Sequence, residues 1–368
     1  MPCRKKNKGT NKQMKPSLMD FTLQQLQQEV KPSFRAKQIY GWLYHQYAKD
    51  FEEMKNIPKS LKEELAQKFV VDPLKIIKKE ISNDGTIKYL FELQDGKTVE
   101  AVWLKMKDAQ YDDDGKTIQE AKYSICVSTQ VGCKVGCAFC LTAKGGFTRD
   151  LSAGEIVAQV VNLKRDNDHK HNRMINIVYM GMGEPLDNLN NLSHAIEIFK
   201  EDNGLCISGK RQTVSTSGLS NKIDRLGEMD LGVHIAISLH AVDDELRSEL
   251  IPMNKAHNIN SIIEAVKRFP IDTRKRVMFE YLVIKGKNDD LGSAKKLVKL
   301  LSGIKAKVNL IYFNPYEGTT YERPSKDDMI AFQEYLVKHG LLCTIRDSKG
   351  MDISAACGQL KEKESKSV

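Results

Sequence analysis

Hydrophobic positions along the chain fall into three regimes. Between residues 18 and 71 they recur every three to four residues. From about 72 to 104 they recur every second residue, and from 123 onward short apolar runs alternate with amphipathic stretches. The first spacing is that of helices, the second that of half-buried strands. The helical regime predicts a helix capped by Asp20 and running through Gln28, another over 31–44 and a third over 59–69. In the second of these, Ile39, Leu43 and Trp42 face inward while Arg35, Lys37 and Gln38 face outward. The period-two regime predicts a β-hairpin whose strands, 87–93 and 98–104, flank Asp95, Gly96 and Lys97. An exposed acidic loop with Asp112, Asp113, Asp114 and Gly115 follows.

The third regime predicts strands over 123–129, 175–181, 211–217, 233–240, 275–285 and 306–313. Helices over 153–165, 190–201, 220–228, 259–268, 290–301 and 326–338 alternate with them, and a last strand covers 343–346. Ser152 and Glu155 make a capping box at the first of these helices. Strand–helix units in series imply an α/β fold with a parallel sheet and right-handed crossovers. Six units fall short of the usual eight-stranded barrel, so an open, partial (β/α)6 barrel is expected. The chain then divides into a disordered basic tail (1–17), a helical domain (18–71), a β-hairpin extension with the acidic loop (72–118), the barrel core (119–350) and a C-terminal tail (351–368). Parallel βα folds bind ligands at the carboxyl ends of their strands. That directs attention to Cys133 through Cys140, Gly181 through Glu184, Ser215 through Gly218, Ser238 through His240, and Asn314.

Length and composition narrow the class. At roughly 150 residues per domain, 368 residues suggest two domains. No uncharged apolar run approaches the ~18 residues of a membrane span, and the first 15 residues are basic without an apolar stretch behind them. A soluble, cytoplasmic protein with no membrane partner is expected. The balance of 57 basic against 48 acidic side chains, +9, leans toward a polyanionic partner such as RNA or DNA. Six of those cations (Arg4, Lys5, Lys6, Lys8, Lys12 and Lys15) lie in the tail and serve equally well as a solvated end.

Cysteine placement says more. Of the eight, Cys126, Cys133, Cys137 and Cys140 fall within fifteen residues, while Cys3, Cys206, Cys343 and Cys357 are scattered. A tight cluster in a long chain points to metal or redox chemistry rather than a disulfide framework. Cys133, Cys137 and Cys140 have the spacing C-x3-C-x2-C just after a predicted strand. Three thiolates so placed can hold one face of an iron–sulfur cubane and leave the fourth iron open. Gly132 and Gly136 allow the backbone the close approach this needs. A zinc site and buried structural cysteines are the alternatives, although no second C-x2-C or H-x3-H supplies the further zinc ligands.

A C-x3-C-x2-C after the first strand of such a barrel, with Phe139 before the last cysteine, resembles the radical S-adenosylmethionine (SAM) superfamily. The resemblance implies a 4Fe-4S cluster on Cys133, Cys137 and Cys140, with SAM chelated at the open iron and cleaved to an adenosyl radical. Further segments extend it: Cys126 to Cys133, Met180 to Pro185, Ser215 to Gly218, Ser238 to His240, Asn314 with Pro315, and Ala355 to Leu360. With Phe34 to Tyr40, their order resembles the bacterial RNA methyltransferases that act on C2 of adenosine, over residues 30 to 360. Their substrates are 23S rRNA, at the peptidyl-transferase centre, and tRNA, next to the anticodon. Pro185 and Ser217 look more like this branch than its C8-methylating relative.

C2 of adenine is electron-poor and offers no lone pair, so polar methyl transfer fails there and covalent catalysis through a carrier is implied. By resemblance the carrier is Cys357, methylated first and then converted to a methylene radical that adds to C2; two SAM are consumed. Cys126 is then the thiol that resolves the protein–RNA thioether, and Glu100 the proton-abstracting base. The resemblance also assigns Gly183 and Glu184 to the methionine amino group, Ser215 to the carboxylate or sugar, Ser238, Leu239 and His240 to the nucleoside, and Asn314 to adenine or ribose. It further implies a monomer and an electron donor such as flavodoxin. RNA contact is expected in the N-terminal domain, with Arg35, Lys37, Lys59, Lys62 and Lys68 on phosphates and Tyr40, Trp42 and Tyr44 stacking, or packed as core. Two further readings remain at this point, a radical SAM enzyme with a non-RNA substrate and a zinc-dependent RNA-binding module.

Overall fold

Ten strands form one continuous sheet in the computed structural model, which describes residues 14–168, 175–272, 275–316 and 318–360. They are β1 (Leu74–Ile81), β2 (Ile87–Leu93), β3 (Thr98–Lys107), β4 (Lys122–Cys126), β5 (Ile175–Tyr179), β6 (Gln212–Thr216), β7 (His234–Ser238), β8 (Val277–Val283), β9 (Ala306–Tyr312) and β10 (Leu342–Arg346). Their order in space is their order in the chain. The pairs from β1 to β4 are antiparallel and those from β4 to β10 parallel. Helices Ala153–Asp166, Leu189–Lys200, Ser220–Glu228, Ile259–Arg268, Leu291–Leu300 and Lys326–Lys338 make the crossovers, as the apolar pattern predicts. Among the described residues β4 and β10 share no ladder, so the barrel is open. Cys126 of β4 and Arg346 of β10 nevertheless line one cavity, so the sheet curls toward closure.

β8 and β9 are buried on both faces, six of seven side chains in each, and so carry more apolar residues than an alternating strand would. Ser152 caps its helix as expected, accepting from the Glu155 N–H while Glu155 accepts from the Ser152 N–H. Helix Asp244–Leu250 and the single turn Leu141–Lys144 escape the sequence reading.

Several expectations need correction. The hairpin extension has a third strand, β1. A register shift between Ile76 and Lys78 breaks its alternation, and most of its side chains face water, so no period-two signal survives. Lys75, Lys78 and Lys79 on this edge strand discourage pairing with another chain. The extension also runs directly into the barrel, Val102 of β3 opposing Cys126 of β4, so the 118/119 division cuts one sheet. The acidic loop is an exposed ribbon, with Gln110–Tyr111 paired to Thr117–Gln119. Thr22, not Asp20, caps helix Leu23–Glu29. Asp20 closes the short 3-10 turn Leu18–Asp20 and accepts the Gly154 N–H at 2.6 Å, joining the helical domain to the barrel. The second helix begins at Phe34, beyond Pro32, and runs to Tyr44. Tyr40 and Tyr44 on it are buried, which removes them as stacking platforms; Trp42 is half-buried and bonds Asn56. Most of the basic tail, Cys3, and residues 361–368 lie outside the described residues.

Candidate active site

The strand carboxyl ends converge on one cavity. Cys133, Cys137, Cys140, Gly183, Glu184, Ser215, Ser238, His240, Asn314 and Cys357 all line it. The cysteine loop opens from a small hairpin, Gln130–Gly132 paired with Phe147–Asp150. Gly132 has φ +74°, and a Cβ there would strike the Gly146 carbonyl oxygen at 1.9 Å. The Cys133 N–H donates to that same carbonyl at 2.8 Å, so only glycine lets the loop turn back on itself.

Burial pushes the Cys133 thiol up to about 12 and raises Cys137 well above its ordinary value. Buried thiols of this kind become thiolates only beside a strong positive charge, which iron supplies. Among the described residues no three His, Cys, Asp or Glu side chains converge on a single ion position. Zinc would want a fourth ligand beside these three thiols, whereas a 4Fe-4S cluster can be held by three with one iron left open, so the donor set fits the cluster.

Glu184 is buried, its carboxylate accepting the Ser217 N–H at 2.7 Å and the Leu186 N–H at 3.0 Å. Burial raises its pKa, and the Ser217 and Leu186 bonds oppose that. Its own N–H donates to Gln130 Oε1 at 2.8 Å. Gly183, at φ +101°, lies so close to Gln130 that a Cβ would meet its side chain at 2.6 Å. His240 also has a left-handed backbone, φ +59°. Its Nδ1 accepts the Leu282 N–H at 3.0 Å, which leaves the proton on Nε2, and its ring stands edge-on to Phe139. Burial and Arg247 lower its pKa to about 3. Asn314 exchanges bonds with Ser348 and accepts from Arg323 at 2.8 Å.

Three candidates stand apart from this lining, Leu239, Glu100 and Cys126. Leu239 is fully buried in the core, with its N–H on the Glu280 carbonyl at 3.0 Å. Glu100 is buried on β3, paired with Lys88 at 3.4 Å. Ser128 Oγ donates to the Glu100 carbonyl at 2.6 Å and accepts the Met182 N–H, which ties Glu100 to the loop carrying Gly183. The acidic ribbon leaves the opposite end of β3 and does not disturb this position.

A second cavity adjoins the first. Cys126 lines it, and Cys357, Arg346, Met180, Ile311 and Leu360 line both. The Cys357 side chain is accessible through these spaces yet surrounded by protein, and burial raises its thiol. Its tail is fastened on two sides. Gly350 N–H donates to Asp84 at 3.0 Å and Ser82 Oγ to Asp352 at 2.6 Å. Past the cysteine, the Leu141 N–H donates to the Gly358 carbonyl at 2.8 Å and Thr142 Oγ1 to that of Leu360 at 2.6 Å.

Sequence reasoning missed Arg247, Glu280 and Arg346. Arg247 is fully buried and donates to the carbonyls of Ser217, Ser238 and Leu239 and to Asn254, binding the cavity's strand ends together. It sits on the unanticipated helix; Glu280 lies within an apolar run and Arg346 ends the last strand. A charge inside a strand pattern is the signal that was available for Glu280.

Fold and cysteine loop together define a radical SAM enzyme, and residues 127–298 match the Radical SAM superfamily model. Residues 16–71 match the model of the ribosomal RNA large subunit methyltransferase N-terminal domain. The chain is 86% identical over 350 residues to the dual-specificity RNA methyltransferase RlmN of Sulfurimonas denitrificans, covering 95% of this chain and 98% of that one. Against the RlmN of Aliarcobacter butzleri it is 64% identical, covering 96% and 98%. A crystal structure of a radical SAM methyltransferase from Sphaerobacter thermophilus superimposes with a TM-score of 0.86 at 41% identity, covering 94% and 99%. The chain belongs to the RlmN family of radical SAM RNA methyltransferases. It uses a 4Fe-4S cluster and SAM, and no helix among the described residues is long and apolar enough to cross a membrane.

Proposed function

We propose that the enzyme methylates C2 of adenosine in 23S rRNA, at the peptidyl-transferase centre, and in tRNA, beside the anticodon, through an S-methylcysteine on Cys357. The single observation carrying this reading is that Cys357 stands in the wall shared by the cluster cavity and the cavity of Cys126. A carrier sulfur must face SAM for loading and a second thiol for release, and that wall gives access to both.

When bound, the cluster and SAM supply the one-electron chemistry that removes a hydrogen atom from the S-methyl group. The protein's own residues do the rest. Glu184, Gly183, Ser215, Ser238, His240 and Asn314 hold the cofactor, and the Cys357 thiolate accepts the first methyl group. After the methylene joins C2, the adduct would return its unpaired electron to the cluster and give its C2 proton to Glu100, and Cys126 then attacks the Cys357 sulfur. The adenine leaves its stack to reach this depth. Arg35, Lys37, Lys59, Lys62 and Lys68 of the helical domain meet phosphates. An electron donor such as flavodoxin, a monomeric state and a cytoplasmic location complete the reading.

The test is two variants assayed with RNA under anaerobic conditions. Cys357→Ala is expected to abolish 2-methyladenosine, and Cys126→Ala to accumulate a covalent protein–RNA species. Methylation by Cys357→Ala would sink the carrier scheme.

A further inference from the structure

The polar layer beneath Cys357 has no part in the chemistry described so far. Arg346, at the end of β10, lines both cavities, and its charge opposes the rise that burial gives both thiols, as the leading opposing influence at Cys357 and the smallest at Cys126. Its Nη1 lies 3.7 Å from Glu280 Oε1. Glu280 is buried on β8; Asn309 of β9 donates to its Oε1 at 2.9 Å, while Oε2 has no hydrogen-bond partner among the described residues. Thr344 of β10 donates in turn to Asn309 Oδ1 at 2.8 Å. Three adjacent strands thus hold one guanidinium at the seam between the cysteines.

Cys126 needs such a charge. Burial pushes its thiol up to about 12, Cys357 adds to the rise, and only the Met180 backbone and Arg346 oppose it. Asp347 and Lys349 also line the second cavity, but of its two cations Arg346 alone reaches into the first. A nucleophile so disfavoured as thiolate makes release the slow step unless a cation faces it.

We propose that Arg346 is a positioning residue for release: it holds the Cys126 thiolate against the Cys357 sulfur, and Glu280, Asn309 and Thr344 hold Arg346. The inference rests on the carrier reading above. In the step it serves, a sulfur–sulfur bond forms between Cys126 and Cys357 while the bond from the Cys357 sulfur to the methylene breaks. That bond's electron pair goes to carbon, which takes a proton and becomes the methyl group. The two cysteines are oxidised as the methylene is reduced, and an external dithiol restores the thiols.

The experiment follows the covalent protein–RNA species on denaturing gels, using reconstituted enzyme, RNA, SAM and dithiothreitol, for wild type, Cys126→Ala, Arg346→Met and Arg346→Lys. Arg346→Met is expected to accumulate the crosslink, with release at least tenfold slower at pH 7. Release should recover about tenfold per pH unit, as the thiolate population does below its pKa. The Cys126→Ala crosslink should persist at every pH, and Arg346→Lys should release within a few-fold of wild type. Wild-type release by Arg346→Met overturns the proposal, as does a folded Arg346→Lys no faster than Arg346→Met. If Cys126→Ala itself accumulates nothing, the carrier reading falls and this proposal with it. If Cys126→Ala accumulates and Arg346→Met does not, only this proposal falls.

Discussion

Thr142, two residues beyond Cys140, donates its hydroxyl to the carbonyl of Leu360, three residues beyond Cys357, at 2.6 Å. Residues 218 positions apart are thereby joined where the chemistry requires it. With the bond from Leu141 to Gly358, and the bonds of Asp84 and Asp352 on the other side, this latch suspends Cys357 between two anchored ends. Ala355 and Ala356 bury small side chains beside it, and Gly358, at φ +80°, turns the tail back toward the cluster loop.

Thr142→Val keeps the shape and removes the hydroxyl, leaving a buried carbonyl unpaired at about 1–3 kcal/mol. The tail should open about 5- to 150-fold more often, with the rest of the barrel unaffected. Hydrogen exchange confined to 350–360 should speed up, and the S-methylated fraction of Cys357 in purified protein should fall. Unchanged exchange in that segment would remove the latch from the account.

With Cys133, Cys137 and Cys140 proposed as the ligands, anaerobically reconstituted Cys137→Ala should lose most of its iron and sulfide and its brown colour. Iron and sulfide determinations measure this directly. Because the loop is also held by the Gly146 bond and by the Ala138 N–H on Leu250, circular dichroism should remain that of a folded α/β protein.

Arg247 invites the opposite outcome. Its side chain satisfies three strand-end carbonyls, and burial already lowers its pKa to about 10. Arg247→Met should leave those carbonyls without their donor, costing about 3 kcal/mol or more. Lower thermal stability and weaker SAM binding in equilibrium dialysis should appear together, since Ser217 and Ser238 belong to the cavity it braces.

The sequence reading succeeded where one physical signal governs one element. Buried parallel strands show as apolar runs, capped helices as periodic stretches, and the class of enzyme as three cysteines in eight residues. It failed where position depends on partners remote in sequence. Of the two roles open to Tyr40 and Tyr44, stacking or core, the contact of the helical domain with the barrel selects core, a choice that no spacing on their own helix makes. The bulge between Ile76 and Lys78 erased the alternation of β1. Arg247 and Arg346 reach their cavity partners through the fold, so nothing local marks them, whereas Glu280 is marked only as a charge inside an apolar strand. The likeness of the motifs led to the cysteines, but the wall between the two cavities is visible only in three dimensions.

Acid should expose the buried histidine. Burial and Arg247 lower His240 to about 3 in the folded protein, whereas an unfolded histidine titrates near 6.5. Between those values the unfolded chain binds the extra proton, so folding stability falls as pH drops below about 6.5 and levels off near 3. At pH 5 the loss from this one site is on the order of 2 kcal/mol. His240→Asn retains an acceptor for the Leu282 N–H and cannot titrate. Urea unfolding at pH 7 and pH 5 should therefore show a smaller acid loss in the variant, by about that amount. Parallel acid losses in the two proteins would mean that His240 takes up its proton without unfolding the site, against the burial seen around it.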